Sequence, residues 1–588
     1  MTINRLTSQA LTLDATPYDS LFAQPGDNDA VSQALQSIQP RLTDTLTHFL
    51  HPSVPSRFMV IKAPGTQPYL DTIHELVSQQ FTGTNSLYGG HYRFSTTDVT
   101  FDAPTTEDAL FCTRPNVLST AWAETEQLCG CIRQFNGELS AQPGLLHRAN
   151  GGVLILSLRL LLEQPLMWLR VKQWVTRQVF TWFSPDETKP LPVTMPAIPL
   201  DIRLILVGDR DELAELDALT PEMTEIAVYS EYEDEILIND EQDIIRWRNW
   251  IHNRALNKAL PRPASDAWPR LLELATRYTE DQCSLPVNPL WFERLFTSIA
   301  TATGTETFSG EAFQLFLEKQ AWREGYLAER ILDDILDDQV RVETQGERVG
   351  QINALSVIEF PGHPRPVGEP SRISCVVHVG DGELTDIERK AELGGNIHAK
   401  GMMIMQAFLM AELDLDQQLP FSASLTFEQS YSEVDGDSAS MAELCAFISA
   451  LADVPVYQNI AITGSVDQFG CAQPVGGLNE KIESFFALCA ARGLTGNQGV
   501  IIPLANVRHL SLCEPLRSAV EQEQFYIWAV EDVFDALPLL TGLPWSDEIQ
   551  GRNNLMQLVQ ERIAQASQQD ARHRLPWPLR WLNWFNHN

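Results

Sequence analysis

Apolar residues recur along this chain in two rhythms. In the first 240 residues, short unbroken apolar runs, RFMVIKAPG (57–65), GGVLILSLRLLL (151–162) and LDIRLILVGD (200–209), are bounded by glycine or polar residues and separated by helical segments. Strands covered by helices on both faces carry this signature, so residues 1–240 predict an α/β layer with a parallel sheet. From 241 to 339 the period changes. DEQDIIRWRNWIHNRAL and SGEAFQLFLEKQAWREGYLAERILDDILDD place apolar residues three and four apart, which predicts a helical domain. Its acidic pairs, Asp333–Asp334 and Asp337–Asp338, read as a solvated helix face rather than as metal ligands.

Strand character returns in VRVETQGERVGQINALSVIEF (340–360), with a turn at Gln345–Gly346, and GHPRPVGEPSR (362–372) reads as a Pro/Gly loop. A second α/β region follows. ISCVVHV, SASLTFEQS, IAITGSV and GVIIP predict strands, and helices fall near 396–413, 438–452 and 478–492. The region 340–545 thus forms one further domain, and 546–588 a helical and aromatic tail.

Composition removes several function classes. With 42 basic and 77 acidic residues the formal charge is −35, which disfavours nonspecific binding to nucleic acid or anionic lipid. No stretch approaches the roughly 18 apolar residues of a membrane span. The first twenty residues lack the apolar run of a secretory signal, which predicts a cytoplasmic protein. Nine cysteines are scattered, and Cys129 and Cys131 in CGC have no second pair to complete a metal tetrahedron, so reduced thiols are expected.

The candidate chemistry lies in YSEVDGDSASMAELCAFISALADVP (431–455). Asp435, Gly436, Asp437 and Ser438 form a polar turn ahead of a helix whose Met441, Leu444, Phe447, Ile448 and Leu451 share a core-facing side. Polar turns before helices commonly serve only as caps. Here Ser440 and Glu443 make a better capping box than Ser438 could, and with Ser440 or Asp437 as the cap Ser438 is left available as a nucleophile beside the positive end of the helix. A hydroxyl needs a partner to take its proton. Lys481, in the first turn of the helix after PVGGLNEK, is that partner: a cation there opposes the helix dipole, so its position calls for another reason. To act as a base it has to be neutral near pH 7, which requires burial.

These motifs, in this order, resemble the proteolytic domain of the Lon protease family. Its serine follows an Asp-Gly turn, here DGDSAS, and its lysine lies in GGLxEK, here GGLNEK. The resemblance implies a Ser438–Lys481 dyad with Thr463, in ITG, supporting the amine, and it makes His398 in GGNIHAKG structural or peripheral rather than catalytic. RVGQINALSVIEFPGHPRPVGEPSRISC, IERKAELGGNIHAKG, LTFEQSYSEVDGDSAS and GLTGNQGVIIPLANVRHL extend the likeness over 340–545.

The N-terminal half is similar to the AAA+ module of the same family. FAQPGDNDAVSQAL (22–35) resembles its opening helix, QPGLLHRANGGVLILS (142–157) its Walker B strand, and IPLDIRLILVGDRDELAEL (198–216) its sensor strand. The phosphate-binding positions differ. Walker A requires Gly-Lys-Ser/Thr, and APGTQPY puts Gln67, Pro68 and Tyr69 there. Ser157 and Leu158 stand where Walker B carries acids. ATP is the cofactor the family implies, yet these residues predict that none is required.

The expected fold is therefore a degenerate AAA+-like α/β module with a helical lid, followed by an α/β Lon-type proteolytic domain. The expected function is a serine endopeptidase acting on unfolded or loosely folded proteins and peptides. The alternatives are an ATP-dependent Lon-type protease and a non-catalytic oligomeric scaffold or adaptor. The resemblance further implies a homo-oligomer, by family a hexameric ring. The tail RLPWPLRWLNWFNHN, with Trp577, Arg580, Trp581, Trp584 and Phe585, suits a membrane interface, a partner groove or the protein's own surface, and the residues do not choose among these.

Overall fold

The computed structural model describes residues 4–23, 31, 33–95, 98–106, 111–186, 188–304, 306–380, 382–413, 420–430, 435–546 and 554–574. The aromatic tail positions Trp577 to Phe585 lie outside them, as does much of the stretch 24–32. The chain divides into two compact units, one formed by 20–265 with 285–309, the other by 1–19, 266–284 and 310–588.

In the first unit, the three apolar runs become strands. They are β1 (Phe58–Lys62), β3 (Val153–Ser157) and β4 (Arg203–Gly208), joined by β2 (Val117–Thr120) and β5 (Val228–Glu231). All pair in parallel, in the order β5-β1-β4-β3-β2. β3 and β4 are buried along their whole length, which is why they read as runs rather than as alternation. Helix α1 (Gln67–Gln80) follows β1 directly.

Five more helices occupy the predicted helical region: α2 (Glu241–Asn257), α3 (Trp268–Thr279), α4 (Pro289–Thr303), α5 (Gly310–Glu324) and α6 (Tyr326–Leu336). α2 and α4 belong to the first unit, and α3, α5 and α6 to the second. Residues 4–11 also pack in the second unit, where Leu6 N–H donates to Ile527 O at 2.9 Å and Leu11 enters the core.

The second unit is built on a mixed seven-stranded sheet. Its strands are β6 (Gln351–Ile358), β7 (Val367–Val379), β8 (Leu384–Asp386), β9 (Phe421–Glu428), β10 (Ile460–Ile462), β11 (Gln498–Pro503) and β12 (Phe525–Val530). They run in the order β8-β9-β7-β6-β10-β11-β12. The expected Pro/Gly loop at 362–372 is shorter than its composition suggests. β7 begins at Val367 inside it, because eight residues there pair antiparallel with β6, from Ile358↔Val367 to Gln351↔Ser374.

Helices α7 (Asn396–Glu412), α8 (Ser440–Ala452), α9 (Leu478–Arg492), α10 (Val533–Thr541) and α11 (Leu555–Arg574) complete this unit. Every residue of α8 is buried, not only the predicted face. It is enclosed by β7 and β6 together with α7, α10 and α11, and a helix apolar all round is the kind that fits such a place.

Candidate active site

Two helix starts converge here. The turn 435–439 delivers Ser438 ahead of α8, and α9 begins at Leu478 with Lys481 in its first full turn. Gly477, just before α9, has φ +62°, and a β-carbon there would meet Val357 Cγ1 at 2.8 Å, so the tight approach to β6 requires glycine. Arg277 of α3 fixes α9 from the far side, donating to Glu480 at 2.8 Å and to Glu483 at 2.6 and 2.8 Å.

Lys481 Nζ lies 3.0 Å from Ser438 Oγ. The lysine is 2 % exposed, while Ser438 is half-buried at the edge of a cavity of about 480 Å³. Burial lowers the Lys481 amine to about 8 from its ordinary 10.5, against the opposing pull of the Asp437 and Glu280 carboxylates. Ser438 also lies at a well-tied backbone position. Its carbonyl accepts from Gly464 N–H at 2.9 Å and from Thr463 Oγ1 at 3.4 Å, and Met441 N–H returns a bond to Gly464 O at 3.1 Å. Thr463 is fully buried, and its hydroxyl thus bears on the backbone of the serine.

The expected capping box is absent. Ser440 is the first residue of α8, not its cap; its Oγ accepts from Val466 N–H at 3.1 Å, and Glu443 turns into the interior, 1 % exposed, beside His398. The Asp437 carboxylate does not cap either: it accepts from Ser465 Oγ at 3.0 Å. The cap position, Ala439, has no side-chain bond at all. Tertiary partners outcompete the local ones, and Ser438 stays uncommitted to capping as expected. Adjacent to Ser438 in sequence, Asp437 thus serves not as a cap but as a carboxylate acting on the Lys481 amine.

The cavity is walled by Leu355–Ile358 of β6, by Pro370 and Ser371 of β7, and by Phe427. Beyond Ala354 the second edge of β6 has no strand paired to it among the described residues, since β10 reaches only Asn353 and Ala354. An extended chain lying there would meet free backbone groups beside Ser438.

The phosphate-loop position of the first unit is built differently. Ala63–Thr66 connects β1 to α1, and Pro68 stands at the start of the helix. Tyr69 is 1 % exposed; its ring meets Tyr232 edge-on at 5.2 Å and its hydroxyl donates to Asp234. Gly65 abuts the end of β3, where a β-carbon would stand 2.3 Å from Ser157 Oγ.

Residues 123–228 match the family described as LonB-like, AAA domain, and residues 430–538 match the Lon protease (S16) C-terminal proteolytic domain. The parallel sheet and the serine-bearing sheet unit together therefore define a two-module chain with an S16-type proteolytic domain. A Lon protease homolog of Escherichia coli (strain K12) is 58% identical over 585 residues, covering 100% of both chains. One from Haemophilus influenzae is 42% identical over 90% of this chain and 89% of its own. An archaeal Lon protease from Methanocaldococcus jannaschii is 32% identical over 33% of this chain and 28% of its own. The chain belongs to the Lon protease family.

Proposed function

We propose that this chain is a serine endopeptidase in which Ser438 is the nucleophile, Lys481 the general base and Thr463 a supporting residue. We propose further that it cleaves unfolded or loosely folded proteins without needing ATP. The observation that carries the reading is the 3.0 Å approach of a 2 % exposed lysine amine to a serine hydroxyl. An amine lowered to about 8 is neutral often enough at cellular pH to accept a proton, which an exposed lysine is not.

The chemistry follows from that pair. Lys481 Nζ takes the Ser438 Oγ proton as the oxygen attacks the scissile carbonyl carbon. The resulting oxyanion meets the N–H groups of Ser438 and Ala439, which have no partner among the described residues, whereas Ser440 N–H is held by Asp437 O and Met441 N–H by Gly464 O. The ammonium of Lys481 then protonates the leaving amine as the C–N bond breaks. Water, deprotonated by the regenerated amine, attacks the ester and releases Ser438. An extended substrate beside β6 would present its carbonyl to this centre, a geometry that unfolded chains adopt and folded ones do not.

The ATP-independent part rests on the first unit. Pro68 offers no N–H, Tyr69 is committed to Asp234, and Ser157 and Leu158 offer no metal-binding carboxylate. No helix among the described residues is long and apolar enough to cross a membrane. Family membership favours a cytoplasmic homo-oligomer, a hexameric ring, with protein substrates, and the formal charge of −35 disfavours nucleic acid.

The test is cleavage of unfolded casein by the full chain, with and without ATP, beside Ser438→Ala. Cleavage by the wild type alone, at one rate with or without ATP, is expected. Equal cleavage by the variant would refute the site, strong stimulation by ATP would favour the ATP-dependent alternative, and no cleavage at all would favour a scaffold.

A further inference from the structure

About one turn along α8 from Ser438 lies a second group of ionisable residues, which the peptidase chemistry does not use. Asp386 ends β8, Glu388 follows on a single helical turn (Ile387–Lys390), and His398 sits in the first turn of α7. Glu443 reaches in from α8. All four are more than nine-tenths buried, at 8, 4, 1 and 1 % exposure. Burying three carboxyl groups and an imidazole together without further compensation is expensive. Among the described residues, no Lys or Arg side chain forms an ion pair with any of them.

The orientation of their atoms is as informative as the charge. Glu388 uses one oxygen fully, accepting from Thr426 Oγ1 at 2.9 Å and Phe427 N–H at 2.8 Å, which aims the other oxygen inward. That second oxygen, Asp386 Oδ2 and His398 Nε2 are buried without a hydrogen-bond partner among the described residues. One ligand atom from each of Asp386, Glu388 and His398 lies within 4.8 Å of the others. His398 Nε2 stands 3.1 Å from Asp386 Oδ2 but off the line of a hydrogen bond. Ligands about 2.1 Å from a tetrahedral ion are separated from one another by roughly 3.4 Å, so small side-chain rotations close this set.

We propose that Asp386, Glu388 and His398 form a divalent transition-metal site, with Glu443 holding the imbalance of the imidazole on its other side. Glu443 Oε1 is 3.7 Å from His398 Nδ1. Brought into hydrogen-bond range on metal binding, the Glu443 carboxylate would fix the tautomer that points the Nε2 lone pair at the metal. One nitrogen and two carboxylate oxygens suit Zn²⁺, which ranks high among divalent ions at such mixed sites. The ion would tie the end of β8 and the helical turn after it to the start of α7. The start of α7 also contacts the serine turn directly, since Ile397 N–H donates to Asp435 Oδ1 at 3.1 Å. Its role on this geometry is to brace the wall of the serine turn, not to take part in proteolysis.

The test uses the full chain stripped with a chelator, then titrated with Zn²⁺ under equilibrium dialysis and, separately, with Co²⁺ followed by visible absorption. Expected are one bound equivalent, a Co²⁺ spectrum of four-coordinate type (three protein ligands and a water) without thiolate charge-transfer bands, and a higher unfolding temperature with Zn²⁺. His398→Ala should weaken Zn²⁺ binding by more than about 100-fold, and Glu443→Gln, which keeps every ligand, by about 10-fold. Should His398→Ala fail to fold, Glu388→Gln and the Co²⁺ spectrum of the wild type decide the matter. No binding at submillimolar Zn²⁺, thiolate bands with Co²⁺, or unchanged affinity in the folded His398 or Glu388 variant would each overturn the site.

Discussion

The turn before α9 in the second unit and the phosphate-loop position of the first share a local design: a short glycine-containing connection feeds the N-terminus of a helix. They differ in what stands at the helix start. At α9 a lysine is buried against a hydroxyl, an arrangement that costs stability and has no structural return. At α1 the corresponding places hold a proline and a tyrosine that make ordinary stabilising contacts. A site that keeps an unfavourable group reads as working, and one filled with comfortable groups reads as structural.

The strongest way to break this contrast is Lys481→Met. On the proposed mechanism it lowers casein cleavage by more than about 10³-fold, as loss of a member of a catalytic unit does. The same change should stabilise the fold at pH 7. The buried amine titrates near 8 instead of 10.5, so the unfolded chain binds the proton more tightly. Wild-type stability therefore rises with pH between about 8 and 10.5, and below that window the full penalty, about 3 kcal/mol, applies. Urea unfolding at pH 7 should show the methionine variant more stable, with the gain shrinking toward pH 10. A variant that cleaves normally, or unfolds more easily at every pH, would place the lysine among the structural groups.

The pH profile sharpens the same point with a smaller effect. Activity needs the neutral amine, so it should climb tenfold per pH unit below about 8 and level off above. At pH 6 the rate should be about 100-fold below the plateau. A flat kcat/KM between pH 6 and 9 on a peptide substrate would remove Lys481 as the base. Thr463→Val should cost less still. It deletes a hydroxyl bonded to the Ser438 carbonyl at 3.4 Å, worth about 1 kcal/mol, so kcat should fall about tenfold or less with the pH midpoint unmoved. A shifted midpoint would mean that the hydroxyl acts on the amine rather than on the backbone.

How far the sequence reveals each region follows the same physics. β1, β3 and β4 were legible because strands covered on both faces must be apolar throughout, and the serine and lysine were legible because each sits in a short motif at a helix start. The capping box was misread because Ser440 and Glu443 have the right local spacing but find better partners, Val466 and His398, far away in sequence. The start of β7 was hidden for a related reason: its pairing with β6 overrides the loop propensity of proline and glycine. The cluster at 386, 388, 398 and 443 lies on four separate elements, one of them a three-residue strand, so no periodicity or spacing announces it.

The smallest effect tests the comfortable side of the contrast. If Tyr69 is a packing residue, Tyr69→Phe keeps the ring against Tyr232 and loses the hydroxyl bond to Asp234. Asp234 retains Lys62 at 3.6 Å and partial exposure to water, so its carboxylate is not stranded. The loss should be about 1 kcal/mol in urea unfolding, with casein cleavage unchanged. Adding ATP should shift neither the wild-type nor the variant unfolding curve, because stabilisation by a ligand requires that it bind the folded state. A midpoint that rises with ATP in the wild type and not in Tyr69→Phe would make the tyrosine a nucleotide contact, and the two helix starts would then differ in chemistry rather than in whether they have any.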